Sequence, residues 1–238
     1  MNGAAAIRSG ARRDADWTAL RARLEALCRA GAPATERRSS GFAALDEATG
    51  GGFFEGALNE LIPTHAASGF LEALGRALQP SAAGSGRLGF WVDPLRLPYP
   101  PALRRLGLDL DRWIFIRPAD RNDQLWAIEQ ILDSGLCSTL VTGLDRIGST
   151  PLRRLQLAAG RGRSLALLLR SPQSLEESSP AAMRLVLRPL PSRTPGRRRL
   201  AIDVVKCRDR AFAGAMEIEW NGPSRRDRLA PRRLQLAP

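Results

Sequence analysis

The chain has 238 residues, and its 36 basic and 24 acidic residues give a formal net charge of +12. Lys206 is the only lysine and His65 the only histidine, which excludes a zinc site with several histidines and leaves no other lysine for phosphate or Schiff-base chemistry. The three cysteines form no CxxC pair, and no apolar run reaches the roughly 20 residues of a membrane span, so we expect a soluble cytoplasmic protein without a metal.

The N-terminal part, residues 1–40, is predicted to be an amphipathic helix followed by a linker. Over residues 14–30, Trp17, Leu20 and Leu24 recur at the spacing of one helical face, and Gly31 and Pro33 end the pattern. Residues 31–40 are then a polar linker. Such a helix packs either on its own domain or on a partner, and both interpretations stay open.

The middle of the chain alternates between short apolar strands and helices. A short helix with Phe42 and Leu45 is predicted to end at the three glycines that start at Gly50. Strands are predicted at 58–62, 87–93, 113–117, 139–142 and 165–169, and helices at 69–80, 99–107, 123–134 and 151–159. This alternation predicts βαβ units and a mostly parallel sheet covered by helices on both faces.

The C-terminal third changes to strands that alternate apolar and polar residues. These are residues 183–187, 200–205 and 215–220, with no helix between them, and they predict an antiparallel meander added to the parallel sheet. The segment from Arg188 to Arg199 contains three prolines and is predicted to be a hairpin loop. The core is thus expected over 41–220, and residues 221–238 are expected to be a flexible basic tail.

Positive charge is concentrated in this last third. Residues 151–238 hold 19 basic and 7 acidic residues. Such asymmetry indicates contact with nucleic acid or an acidic partner, although an arginine-rich composition of this kind also arises from GC-rich codons. Two clusters carry the functional interpretation: the run Arg197 to Arg199, and a tail cluster made of Arg225, Arg226, Arg228, Arg232 and Arg233.

The loop after the strand at 58–62 occupies the position of a phosphate loop but lacks its chemistry. In an α/β protein, the amides of such a loop and of the following helix bind phosphate. Here the loop reads THAASGFL from Thr64, with Ser68 and Gly69 followed by Phe70 and Leu71 where a P-loop has lysine and a hydroxyl residue. We therefore predict a vestigial loop that neither hydrolyses ATP nor holds a cofactor, and no motif supplies His65 with partners for a catalytic triad.

Several segments together resemble a known family. They are SGFAALDEATGGGFFEGALNELI, WVDP from Trp91, LWAIEQ from Leu125, LRRLQLAA from Leu152 and LAIDVVKCRDRAFAGAMEIEW from Leu200. Over residues 40–220 their order is similar to the RecA recombinase core, and the set resembles the RecA-like ImuA family, also labelled SulA-like. The resemblance implies an α/β RecA-like three-layer αβα sandwich with a mostly parallel central sheet and a C-terminal antiparallel meander.

The chain departs from the recombinase pattern at its catalytic positions. Thr142 lies near the place of a magnesium-linked aspartate, and Leu95 stands two residues after Asp93 where a recombinase has its catalytic glutamate. With the altered phosphate loop, these changes predict a pseudo-ATPase without catalytic residues. The segment from Arg170 to Pro180 is also short for the DNA-binding loops of a recombinase.

The resemblance implies a non-catalytic accessory or adaptor protein of the translesion DNA synthesis machinery, the mutasome, in the SOS DNA-damage response. Its implied partners are an ImuB-type polymerase-like protein and an error-prone DNA polymerase, near the nucleoid. Contacts with RecA, with DNA and with a second copy of the chain stay open. The alternatives are a direct DNA-binding protein that uses the C-terminal arginines, a SulA-like cell-division inhibitor, and an ATPase with an unconventional site.

Further candidate contacts lie outside the loop. Lys206 and Arg208 correspond to two basic residues that in recombinases reach the nucleotide of a neighbouring subunit; here they form either a solvated strand end or a retained contact with a protein or phosphate group. Trp91 and Trp113 are expected in the core. Trp17 and Trp126 are expected to pack in the core as well, with an interface anchor as the alternative.

Overall fold

The computed structural model describes residues 36–65, 73–75, 78, 86–94, 98–210 and 214–222. The strands are β1 (Arg37–Arg38), β2 (Phe53–Phe54), β3 (Ala57–Pro63), β4 (Leu88–Val92), β5 (Trp113–Ile116), β6 (Cys137–Gly143), β7 (Leu165–Leu169), β8 (Met183–Leu190), β9 (Arg197–Cys207) and β10 (Ala215–Asn221). The helices are α1 (Ala43–Thr49), α2 (Pro100–Arg105), α3 (Arg121–Asp133) and α4 (Ser149–Gly162). Residues 73–75 and 78 are also helical, within the helix predicted over 69–80.

Eight strands form one mostly parallel sheet in the order β10-β9-β8-β3-β7-β6-β4-β5. The six strands from β8 to β5 run parallel, and β9 and β10 are antiparallel to their neighbours. The prediction of a mostly parallel sheet is thus confirmed. The strand at 183–187 was expected to begin the antiparallel part, but Asn59 pairs in parallel with Met183, so the antiparallel part begins one strand later.

Helices cover both faces of the parallel part. Buried side chains of α3 and α4 pack with one set of strand residues, while those of α1, α2, Ala73, Leu74 and Leu78 pack with the alternate set. β7 is buried along its whole length, as a continuous apolar strand covered on both faces should be. Trp91 and Trp113 are buried as predicted.

The antiparallel part has one face against the core and one face towards solvent. Leu200, Ile202 and Val204 are buried, as are Ile218 and Trp220 of β10. The polar residues between them point to the other face, which explains the period of two in the sequence. The predicted hairpin loop is shorter than expected, because β8 continues to Leu190 and β9 already begins at Arg197.

The linker predicted over 31–40 is structured at its end. β1 pairs antiparallel with β2, with Arg37 opposite Phe54. This close approach requires Gly52, whose φ is +96° and where a Cβ would lie 2.2 Å from the carbonyl oxygen of Arg38. Gly50 ends α1 in the left-handed conformation, as the glycine run predicted. The helix predicted over 14–30 and residues 223–238 of the predicted tail lie outside the described residues, and Asn221 belongs to β10.

Candidate functional site

The loop that follows β3 is described only at its start. Thr64 donates its backbone N–H to the carbonyl oxygen of Leu187 at 3.0 Å, which ties the end of β3 to β8. His65 is exposed, and its Nδ1 lies 3.1 Å from Oγ1 of Thr64. Ser68, Gly69, Phe70 and Leu71 lie outside the described residues, so the vestigial phosphate loop stays a prediction.

The Thr142 hydroxyl, near the end of β6, both donates and accepts a hydrogen bond within the fold. It donates to the carbonyl oxygen of Val92 at 2.5 Å and accepts from Nε2 of Gln124 at 3.1 Å. Beside it, the buried Asp93 accepts the N–H of Gly143 on Oδ2 at 3.1 Å. The hydroxyl thus joins β4, β6 and α3, and this bonding is structural in character. Leu95, the residue compared above with the catalytic glutamate of a recombinase, lies outside the described residues.

A buried ionic cluster, which we call the Glu60 cluster, is the largest polar feature of the described core. Oε1 of Glu60 accepts from Nη1 of Arg170 at 3.0 Å and from Oγ of Ser179 at 2.6 Å, and Oε2 accepts from Nε of Arg184 at 2.6 Å. Arg170 also pairs with Glu177 at 2.5 Å. The side chains of Glu60 and Arg170 are completely buried.

The cluster fixes the segment between β7 and β8. Arg184 donates to the carbonyl oxygens of Ser174 and Glu177, so both arginines bind this segment as well as Glu60. The predicted short loop over 170–180 therefore contains a 3-10 helix, Pro172–Glu176, held over the sheet by charge-assisted hydrogen bonds. Sequence reasoning missed this cluster, because it treated the strand with Glu60 as simply apolar. A carboxylate inside an apolar run was the available indication that a buried cation must lie nearby.

Lys206 is half-buried rather than a solvated strand end. Its Nζ donates to the carbonyl oxygen of Ser179 at 2.8 Å. Burial and the neighbouring Arg184 and Arg208 guanidiniums lower the pKa of Lys206 below its ordinary value. In the sheet, Arg184 of β8 pairs with Glu60 on one side and with Lys206 on the other. Arg184 lies three residues before Leu187, which pairs with Pro63 at the end of β3. Lys206 is therefore about 10 Å along the sheet from the level of the loop after β3.

Arg208 follows β9 in an aromatic and cationic surrounding. Its guanidinium lies 5.5 Å from the ring centroid of Phe54, and the Arg37 guanidinium lies over the same ring at 3.3 Å. Arg37 also donates to Asp209 at 2.6 Å. Burial and the charge of Arg37 lower the pKa of Arg208, against the opposing effect of Asp209. The structure thus brings Lys206 and Arg208 together with Arg37, which sequence reasoning did not connect with them.

The run Arg197 to Arg199 is largely neutralised by the neighbouring strand. Arg199 pairs with Glu217 at 2.5 Å and Arg197 with Glu219 at 3.4 Å across β9 and β10. Oppositely charged cross-strand neighbours of this kind satisfy each other on an exposed sheet face. Two of the three arginines of this run are therefore already paired with acidic side chains of β10, and its role as a nucleic-acid contact stays a prediction.

The expectation that Trp126 packs in the core is wrong. Its side chain is 66% exposed on α3, and a groove between α3 and α4 is lined by Trp126, Leu125, Pro151 and Leu155. Leu157 of α4 is 63% exposed. The groove is bounded by the ion pair of Arg154 with Glu129 at 2.5 Å. Exposed large apolar residues between polar ones are typical of a protein interaction surface.

The remaining sequence-predicted contacts cannot be placed. Trp17, Leu20 and Leu24 lie outside the described residues, as do the tail arginines Arg225, Arg226, Arg228, Arg232 and Arg233. Within the part of the chain that the structure describes, no group of three or more His, Cys, Asp or Glu residues could hold a metal ion. None of the described helices is long and apolar enough to cross a membrane.

Comparison with known proteins leaves the family of this chain open. No family model matches the chain, and no curated protein matches it. The class that fold and site define is therefore an α/β protein with a mostly parallel eight-stranded sheet, a buried ionic cluster and an exposed aromatic groove.

Proposed function

We propose that this chain is a RecA-like, ImuA-type protein that acts as a non-catalytic adaptor in translesion DNA synthesis. In this proposal it binds an ImuB-type polymerase-like protein and thereby helps to assemble an error-prone polymerase at damaged DNA. The sequence motifs over residues 40–220 and the mostly parallel sheet support the RecA-like assignment. The proposal places the protein in the cytoplasm near the nucleoid.

The observation that carries an adaptor function is the exposed groove beside Trp126. Tryptophan is enriched among the residues that dominate binding energy in protein interfaces, and burying its side chain releases a large apolar area from water. Trp126 with Leu125, and the ion pair of Arg154 with Glu129, give this surface an apolar centre and a polar margin. That arrangement suits a partner helix or strand better than a small molecule.

The bonding at the end of β6 supports a non-catalytic role. Thr142 uses its hydroxyl to join two strands and α3, and a hydroxyl cannot supply the charge of a magnesium-linked carboxylate. A phosphate-release assay with the full chain tests this part of the proposal. We expect no turnover above background, and release that Gly69→Asp abolishes would overturn it.

Co-purification with the polymerase-like partner tests the adaptor function. We expect Trp126→Ser to abolish co-purification, because this substitution removes exposed apolar area from the groove without touching the core. Leu136→Ser is the matched control, since Leu136 is 65% exposed but lies in the turn after α3. Equal recovery of the partner by the Trp126 variant and the control would contradict the proposed surface.

A further inference from the structure

The end of β9 carries an irregularity that changes the direction of its side chains. Arg184 pairs with Lys206, but the next residue, Leu185, pairs with Val204, so Val205 is the extra residue of a β-bulge. A bulge of this kind re-aims side chains and is common beside functional sites. Here the side chain of Val205 is 50% exposed. The bulge therefore presents an apolar side chain directly before Lys206.

Among the residues that the structure describes, the guanidinium of Arg208 has no hydrogen-bonded counter-ion. It lies 5.5 Å from the ring centroid of Phe54, and both carboxylate oxygens of the nearby Asp209 lie 2.6 Å from Nη2 of Arg37. A guanidinium has five N–H donors in a planar fork that matches a carboxylate or a phosphate. Arg208 is exposed, so an anion can reach it. Partial desolvation and, to a smaller extent, the charge of Arg37 lower the pKa of Arg208 although Asp209 raises it, so a further anion would favour the charged form.

We propose that Val205, Lys206 and Arg208 form a docking site for an acidic segment of a partner protein, in which a carboxylate pairs with Arg208 and a neighbouring apolar side chain packs on Val205. This site rests on the proposed adaptor function and adds a second contact surface to it. It lies near the end of β9, about 10 Å along the sheet from the level of the loop at Thr64.

The surrounding charges favour a protein carboxylate over a nucleic acid. Nucleic-acid binding requires several cations that follow a phosphate backbone. Here Asp209 lies within the cationic group, and two of the other basic residues of β9, Arg197 and Arg199, are paired with Glu219 and Glu217. A single free guanidinium beside an apolar side chain instead fits one carboxylate followed by one apolar residue.

Fluorescence anisotropy of the full chain tests the site with two probes, a short labelled peptide of glutamate and leucine and a short labelled poly-thymidine. We expect the peptide to bind, and Arg208→Ala to weaken its binding about tenfold, the value of one charge-assisted hydrogen-bonded pair. Val205→Ser should weaken it about threefold through lost apolar contact. Arg188→Ala is the matched control, because Arg188 of β8 is also an exposed arginine but is paired with Asp203.

The outcomes separate this site from its alternatives. A peptide that does not bind the wild-type chain, or an equal loss in the Arg208 and Arg188 variants, overturns the proposal. Tighter binding of poly-thymidine that depends on Arg208 assigns the site to phosphate and also overturns it. Trp126→Ser should leave peptide binding unchanged, because the groove beside Trp126 is a separate surface. Co-purification therefore tests the groove, and peptide binding tests the site at Arg208.

Discussion

Arg170 and Glu60 form an ion pair in which neither side chain is exposed, with Nη1 of Arg170 3.0 Å from Oε1 of Glu60. Arg184 binds the other carboxylate oxygen at 2.6 Å. One buried carboxylate therefore faces two buried guanidiniums, with Glu177 as the second anion. An ion pair of this kind is a weak source of net stability, but breaking it leaves a buried charge without its partner. Its role is to select the conformation of the segment between β7 and β8.

Replacement of Glu60 by glutamine should destabilise the fold by about 3–5 kcal/mol, because Arg170 and Arg184 would stay buried with one carboxylate fewer. Urea unfolding followed by circular dichroism measures the change. Glu129→Gln is the control, because its partner Arg154 is largely exposed, and its cost should stay under about 1 kcal/mol. Equal costs in the two variants would contradict the assigned role of the cluster.

Gly52→Ala should cost clearly more than Gly196→Ala, although both glycines have a positive φ. The backbone strain alone costs about 1–2 kcal/mol at either position. At Gly52 the new Cβ would also meet the carbonyl oxygen of Arg38 at 2.2 Å, whereas nothing lies within 4 Å at Gly196. Unfolding free energies of both variants check this, and equal values would show that β1 does not approach β2 as described.

The pKa of Lys206 should be measurable without assignment, because it is the only lysine in the chain. Methylation with ¹³C-formaldehyde gives one lysine signal, and its titration should show a pKa below 10.5 in the folded chain and a higher one in urea. Arg208→Ala should raise the folded value by removing a neighbouring cation. In the wild-type chain, the unfolded state binds more protons than the folded state at any pH between the folded and unfolded pKa values of Lys206. Lys206 therefore makes the free energy of unfolding rise with pH over that interval. A folded pKa equal to the unfolded one would refute this.

Cys137 should resist alkylation in the folded chain. Burial raises the pKa of its thiol to about 12, so at pH 8 roughly one molecule in 10,000 carries the reactive thiolate. Peptide mapping after iodoacetamide treatment should find Cys137 unmodified in buffer and modified in guanidinium chloride. Rapid modification in buffer would mean that α3, β6 and α4 open easily.

Local sequence patterns predicted most of the described elements. The strand at 165–169 was predicted with its observed bounds, and the turn at Gly50 ends α1 as expected. The patterns were less successful at the ends of strands. β9 starts at Arg197, inside the segment predicted as a loop. The prolines of that segment all lie before Arg197, and the arginines that follow pair with residues of β10. Periodicity shows which face of an element is apolar, and strand pairing decides where the element stops.

Some features of the candidate sites were likewise predictable from the sequence, and others depend on the tertiary structure. The sequence after β3, with Phe70 after Gly69, could be read along the chain, and so could the position of Thr142 at the end of a predicted strand. The exposure of Trp126 could not, because its position on α3 fits either a buried or an outer face until α4 is packed beside it.

By itself, the sequence determined the alternation of strands and helices, the switch to a two-residue period after Arg170, and the single lysine and histidine that limit the chemistry. These properties depend on neighbours along the chain. Tertiary structure alone decided which charges are paired: Glu60 is bound by Arg170 and Arg184, 110 and 124 residues away, and Arg208 has no hydrogen-bonded anion among the described residues. The reason is physical, because the free energy of a charge depends on burial and on partners that only folding brings within hydrogen-bond distance.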